Sequence, residues 1–338
     1  MQKLFLKLSL FFCLAQILSC TSKNGLKPQD LSQDTTLSVS TQQWTKLVNS
    51  HPNNTNYLLE RAKSLVNNDR LIGLAINDYR FLCQKQPNTP EYALPYIKLL
   101  FENQQIKKSL DVLNEYIKQN PKDSEALFLL GKYKYYLNQL EDAILFLNRS
   151  LNIAGTNTEA IFYLAHSHKD RKDTVQAIRL YKKILELDPT HYHSAVQIAN
   201  LYAQQKSPEA IDYYNMSLRL NEFGLDALYG RAYYYQKMGY LDEAVIDYNR
   251  LLEMNPGHVQ SIYNIGYINF QNEFWRLAKI QFGKAAKLAP TYVQAWYMMG
   301  LCFEAEGNTK KAIRLYQKCL QLDSTFSNAS VGLRRLED

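Results

Sequence analysis

Residues Val293 to Phe326 read VQAWYMMGLCFEAEGNTKKAIRLYQKCLQLDSTF, two amphipathic segments with a glycine between them. Trp296, Gly300 and Phe303 follow one another at spacings of four and three, so they share one face of a first helix. Gly307 then sits in a turn, and Ala312, Tyr316 and Cys319 repeat the four-then-three spacing on a second helix. The stretch predicts a helical hairpin of 34 residues.

The same pattern recurs upstream at the same period, which a chance match would not do. Residues 259–292 carry Gly266, Ala278, Phe282, Ala285 and Pro290, and residues 225–258 carry Leu228, Ala232, Tyr235, Gly239, Ala244, Tyr248 and Pro256. Residues 158–191 show Leu164, Ala165, Ala177, Tyr181 and Pro189, and residues 124–157 show Leu127, Leu130, Gly131 and Ala143. Residues 192–224 keep Ala199, Tyr202, Ala210 and Tyr214 but are one residue short between Gln205 and Glu209. Weaker copies occupy 90–123 and 56–89, making eight units. This order of a Trp-like residue, a small residue, an aromatic, then Ala, an aromatic, a small residue and Pro resembles the tetratricopeptide repeat (TPR), with Ser324 where that family usually has Pro. The resemblance implies an all-α, right-handed α-solenoid of about eight hairpins. Residues 41–55, with Trp44 and Leu47, and residues 327–338, with Val331, Leu333 and Leu336, are expected as capping helices at its two ends.

The first residues have another character. Lys3 and Lys7 precede an apolar run from Leu8 to Leu18, too short for a permanent membrane span and flanked like a cleaved export signal, 1–19. Ile17-Leu18-Ser19-Cys20 resembles a bacterial lipobox, although Leu18 stands where a small residue is more usual; the resemblance implies that Cys20 becomes an acylated N-terminus. The expected location is the bacterial cell envelope, at the outer membrane in a Gram-negative cell. Residues 20–40, rich in Ser, Thr, Gln, Asp and Lys without a helical apolar period, read as a flexible tether.

Composition excludes several classes. A formal net charge of +7, of which Lys3 and Lys7 belong to the leader, is too mild and too interleaved for a nucleic-acid protein. Apart from Cys13 and Cys20 the chain has Cys83, Cys302 and Cys319, with no CxxC spacing, so no disulfide framework is indicated. Cys302 and Cys319 fall on partner helices of one hairpin, as small buried thiols or, in an exported chain, a bridge. No Walker, dinucleotide-binding, HExxH or GxSxG motif is present, and no nucleophile, base and oxyanion set can be assembled. The pairs His166/His168 and His191/His193 point to different helix faces, so neither is a metal pair; His166 and Asp170, four apart, read as a solvated groove pair. No cofactor, metal or small-molecule substrate is expected.

Function is therefore sought on the first helices, which line the inner surface of a TPR stack. One residue after the Trp-like position the units give Glu60, Leu94, Phe128, Phe162, Val196, Tyr229, Tyr263 and Tyr297; one turn on they give Ser64, Lys98, Lys132, His166, Asn200, Tyr233, Tyr267 and Leu301. With Phe270 and Lys169, these rows predict a groove that is aromatic toward the C-terminus and mixes cations with aromatics in the middle. Such a groove suits an extended or helical protein segment with acidic residues and apolar anchors. Aromatics of the first row can also pack against the neighbouring hairpin, and Glu91, Glu125, Glu159 and Asp226 sit in first helical turns, where a carboxylate favours the helix dipole. The expected function is a membrane-anchored, non-catalytic adaptor that grips a protein partner, in envelope protein assembly or in presenting substrates to a protease. The alternative is a glycan-binding lipoprotein similar to the SusD family, against which stands the lack of a long non-repeat insertion between Asn56 and Phe326.

Overall fold

The computed structural model describes residues 28–34 and 36–337, and the regular elements among them are eighteen α-helices. The expected export leader, 1–19, and the expected acylation site at Cys20 lie outside the described residues. The chain divides into two compact units, one ending at Pro121 and the other beginning at Lys122. The first holds α1 (Val39–Ser50), α2 (Thr55–Asn67), α3 (Ile72–Lys85), α4 (Pro90–Glu102) and α5 (Ile106–Gln119). The second holds α6 (Ser124–Tyr136), α7 (Leu140–Ile153), α8 (Thr158–Asp170), α9 (Thr174–Leu187), α10 (Tyr192–Gln204), α11 (Glu209–Leu220) and α12 (Leu225–Met238). It continues with α13 (Leu241–Met254), α14 (Val259–Gln271), α15 (Trp275–Leu288), α16 (Val293–Ala305), α17 (Thr309–Leu322) and α18 (Ser327–Glu337). From α2 to α17 consecutive helices pair into hairpins, with α1 against α2 and α18 against α17.

The hairpin turns share one device. Arg70, Gln104, Asn138, Lys172, Lys206, Gly239, Glu273 and Gly307 all have positive φ, between 54° and 88°, and recur every 34 residues apart from one step of 33. A left-handed residue ends the first helix and redirects the chain into the second. Only two of these residues are glycine, so the other six hold a conformation that an L side chain resists. The step of 33 belongs to α11, which runs 12 residues where α9 and α13 run 14.

Small residues on first helices meet large residues on second helices. A methyl group on Gly300 would come within 2.6 Å of the Tyr316 ring, and one on Gly332 of α18 within 2.7 Å, so two glycines bracket this buried ring. Ala165 with Tyr181 and Ala232 with Tyr248 are buried in the same manner, and a methyl group on Gly266 would come within 2.9 Å of the Phe282 ring. α18 is held further by Arg335, which donates to both oxygens of Glu304 at 2.7 and 2.8 Å, while the Tyr316 hydroxyl donates to Glu304 at 2.5 Å.

In the first unit the structure corrects the expected tether. Leu31 and Leu37 are buried with Val48, Leu58 and Leu65, and the carbonyl of Gln29 accepts from Arg61 at 3.0 Å. Arg61 also donates to both oxygens of Asp78, at 2.7 and 2.8 Å, in an ion pair with almost no exposure. Two leucines and one backbone carbonyl thus hold the described part of 28–40 against α1–α3 without helical periodicity, and α1 itself begins at Val39.

Cys83, Cys302 and Cys319 are free thiols. Burial raises the Cys302 thiol to about 12 and the Cys319 thiol to about 11, so both stay protonated and unreactive at neutral pH. Among the described residues no helix is long and apolar enough to cross a membrane, and no cluster of His, Cys, Asp and Glu could hold a metal ion.

Candidate partner-binding surface

Within the second unit first helices touch one another directly, α6 with α8, α10 with α12 and α14 with α16. From Phe128 and Lys132 onward the two predicted rows fall on this layer, but they divide differently from expectation. Phe162, Tyr229, Tyr263 and Tyr297 each pack against the residue that closes their own repeat, 29 positions on. The ring centroids are 5.4 Å apart for Phe162 and His191, 5.2 Å for Tyr229 and His258, 5.1 Å for Tyr263 and Tyr292, and 5.4 Å for Tyr297 and Phe326. The same four rings also lie 5.3–6.0 Å from Tyr181, Tyr248, Phe282 or Tyr316 of the second helix. They are mortar between hairpins. Phe128 is buried outright, and Phe270 packs edge-on against Trp275 at 4.8 Å inside its own hairpin turn. The aromatic first row is therefore mostly spent on packing, because the closing residue of each repeat lies directly over it.

The second row is partly used internally as well. Asn200 accepts the Tyr214 hydroxyl at 2.8 Å, and Tyr267 is half-buried against the cluster of Ala278, Phe282, Met298 and Cys302. His166 lies with its Nδ1 2.8 Å from the Tyr181 hydroxyl and 3.0 Å from the Phe162 carbonyl, so its tautomer selects between accepting from the first and donating to the second. Burial, helped by the Lys169 ammonium, lowers this histidine to about 4, so it is neutral at physiological pH. Lys169 donates to Gln197 at 2.9 Å, and Lys98 of the first unit is half-buried on α4.

What remains open on α6 and α8 is a hydroxylated aromatic ledge. Tyr135, Tyr136 and Tyr163 have mutual ring distances of 5.6–5.9 Å, and the Tyr136 and Tyr163 hydroxyls are 2.5 Å apart. Tyr136 is 53% exposed. Tyr135 donates to Asp170 at 3.1 Å; burial first, and the Asp170 carboxylate second, push its phenol well above the usual range and keep it a donor. The Lys132 ammonium stands 5.0 Å over Tyr163 and donates to Glu159 at 2.6 Å. Glu159 thus does more than favour its helix dipole; it neutralises the cation expected to meet an acidic ligand. A second opening lies on α12, where Tyr233, 42% exposed, stacks on Tyr229 at 6.2 Å and 15° with the Lys237 ammonium 5.2 Å from its ring centroid. Tyr135 and Tyr136 lie three and four residues beyond Lys132, so the same helical count carried one turn further reaches them.

This layered helical fold is that of a protein-interaction scaffold. Residues 159–191, 225–258 and 293–326 each match the tetratricopeptide repeat family, and residues 68–150 match the family of subunit 3 of the anaphase-promoting complex, or cyclosome. The chain belongs to the tetratricopeptide repeat proteins. It is 27% identical over 159 residues to a DnaJ homolog subfamily C member 3 homolog of Dictyostelium discoideum, a match that covers 42% of this chain and 32% of that protein's length. Among solved structures it is similar to the C-terminal part of a TPR repeat-containing protein from Cytophaga hutchinsonii, with a TM-score of 0.62, 18% identity, and 71% and 98% of the two chains covered. A tetratricopeptide repeat protein from Parabacteroides merdae gives a TM-score of 0.54 at 16% identity, over 77% and 99% of the two chains. At these identities the structural likeness concerns the fold.

Proposed function

We propose that this chain is a non-catalytic adaptor, tethered to a bacterial envelope membrane through an acylated Cys20, that grips a segment of a partner protein along the inner helices of its second unit. The observation that carries the reading is the ledge of Tyr135, Tyr136 and Tyr163, where an exposed ring stands beside two half-buried ones, their hydroxyls linked to one another and to Asp170, on the helix layer that TPR proteins use for contact. Aromatic side chains with few rotatable bonds and a polar tip are suited to anchoring a peptide. Lys132 and Asp170 are already engaged by Glu159 and Tyr135, which favours a segment with apolar and hydrogen-bonding side chains over a strongly acidic one. The three rings meet at 54–77°, offering edges rather than the open faces on which a sugar would stack, and this favours a protein ligand over a glycan.

The test is site-specific photocrosslinking in cells. A photoreactive phenylalanine analogue in place of Tyr136 should give discrete protein adducts, whereas the same analogue at Leu145, 54% exposed on α7, should not. Identical adducts from both positions would remove the ledge from the binding site. For the anchor, Cys20→Ala should release the exported chain from membranes washed in high salt; retention and fatty-acid labelling equal to wild type would count against acylation at Cys20.

A further inference from the structure

Charge is segregated along the second helices. α13 carries Asp242, Glu243, Asp247 and Glu253 against Arg250, whereas α15 carries Arg276, Lys279, Lys284 and Lys287 with no acidic residue, and α17 carries Lys310, Lys311, Arg314 and Lys318 with none. Both basic helices pack on α16, and their charges meet there: Lys279 lies 4.5 Å and Lys311 5.1 Å from the centroid of the same Phe303 ring. Lys279 is also paired with Glu306, and Lys318 stands over Trp296. Arg276, Lys284, Lys287, Lys310 and Arg314 are exposed and make no ion pair with the described residues.

The exposed face of α15 is not purely polar. Leu277, Ile280 and Leu288 are 51%, 48% and 52% exposed. At 3.6 residues per turn, Arg276, Leu277, Ile280, Lys284, Lys287 and Leu288 fall within about a third of the helix circumference, so cations and aliphatic side chains alternate across one surface. A nucleic-acid backbone would satisfy the cations but leave the leucines and isoleucine facing hydrated phosphates. A phospholipid surface satisfies both, because headgroup phosphates lie at the level of the ammonium groups and the acyl boundary just beneath.

We propose that the outer face of α15 and α17 is a docking surface for an anionic phospholipid membrane, separate from the inner ledge on α6 and α8. The surface binds by charge complementarity, with Leu277, Ile280 and Leu288 entering the headgroup layer.

The proposal is tested with the full chain in a Cys20→Ala background, so that no acyl group contributes, by flotation with vesicles of phosphatidylcholine alone or of phosphatidylcholine and phosphatidylglycerol in equal parts. The chain should float only with the anionic vesicles and be released by salt. Lys284→Gln/Lys287→Gln/Arg314→Gln should weaken binding by about tenfold or more, and Leu277→Ser/Ile280→Ser should weaken it while leaving every cation in place. Arg179→Gln/Lys183→Gln, which alters exposed cations of α9, should float as the unsubstituted chain does. Helicity by circular dichroism accompanies each variant, and a loss of binding counts only where helicity is kept; a variant pair carrying Lys310→Gln/Lys284→Gln serves if the triple one unfolds. The proposal is overturned by failure to float with anionic vesicles, by equal loss in the α9 variant, or by tighter binding to duplex DNA that Leu277→Ser/Ile280→Ser leaves unchanged.

Discussion

Tyr263 and Tyr292 lie with their rings 5.1 Å apart, one on the inner layer and the other closing the same repeat immediately before α16. The contact makes Tyr263 a structural residue, and the Phe282 ring of α15 lies 5.3 Å away as well. Tyr263→Ala is expected to cost about 2–3 kcal/mol and lower the melting temperature, since the void cannot be refilled from solvent without exposing Phe282. Tyr233→Ala, at an exposed ring, is expected within about 0.5 kcal/mol of wild type. Thermal unfolding followed by circular dichroism separates the two, and equal effects would mean that the inner layer is not divided as described.

The left-handed turns give a second expectation. Nothing lies within 4 Å of a methyl group placed on Gly239 or Gly307, so Gly239→Ala and Gly307→Ala should each cost about 1 kcal/mol through the backbone alone. Lys172→Gly and Glu273→Gly relieve the same strain and should be neutral or stabilising by a few tenths of a kcal/mol, because glycine's extra freedom in the unfolded chain offsets part of the gain. Denaturant midpoints measured on all four variants check the sign at each turn.

Arg61 and Asp78 form the most secluded ion pair of the first unit. Asp78→Ala would leave a buried guanidinium with only the Gln29 carbonyl, at a cost of about 3–5 kcal/mol, whereas Arg61→Met/Asp78→Leu should cost far less. Because the chain has two units, the measurement is the position of the first unit's own unfolding transition. A double variant as damaged as the single one would show that the pair contributes more than the avoidance of a lone charge.

His166 predicts a pH dependence. Its folded value of about 4 lies below the ordinary value of 6.5, so between these limits the unfolded chain binds more protons than the folded one. Stability from this group is complete above pH 6.5 and falls toward pH 4, with a slope approaching about 1.4 kcal/mol per pH unit. His166→Asn substitutes the residue type that takes the equivalent tyrosine hydroxyl at Asn200, and it should flatten the melting temperature between pH 6.5 and 4.5. An unchanged pH profile would assign the acid sensitivity to other groups.

The period of this chain was legible because the positions that make it, such as Ala165, Ala232, Gly300 and Tyr316, are committed to contacts between helices and tolerate few side-chain shapes. The division of labour on the inner layer was not. Tyr263 and Tyr233 look alike in a helical count, and what separates them is Tyr292, which lies 29 residues after one and has no counterpart over the other's ring. Tyr135 and Tyr136 could have been found by continuing the count one turn past Lys132. Leu31 and Leu37 left no such trace, because a segment that packs without regular structure carries no period. Arg70, Gln104, Lys172 and Glu273 hide their left-handed backbone behind side chains with no preference for it.

The regular placement of those turns reaches beyond stability. In the second-unit hairpins named earlier the first helix offers a small residue and the second a large one, so joining units at two left-handed positions keeps the small-against-large pairing, with the ring shifting by a few tenths of an ångström or more where alanine replaces a glycine such as Gly300. A whole unit can thus be gained or lost with the turn geometry kept, and the step of 33 at the shortened α11 shows that a one-residue change in the spacing of the turns is accommodated.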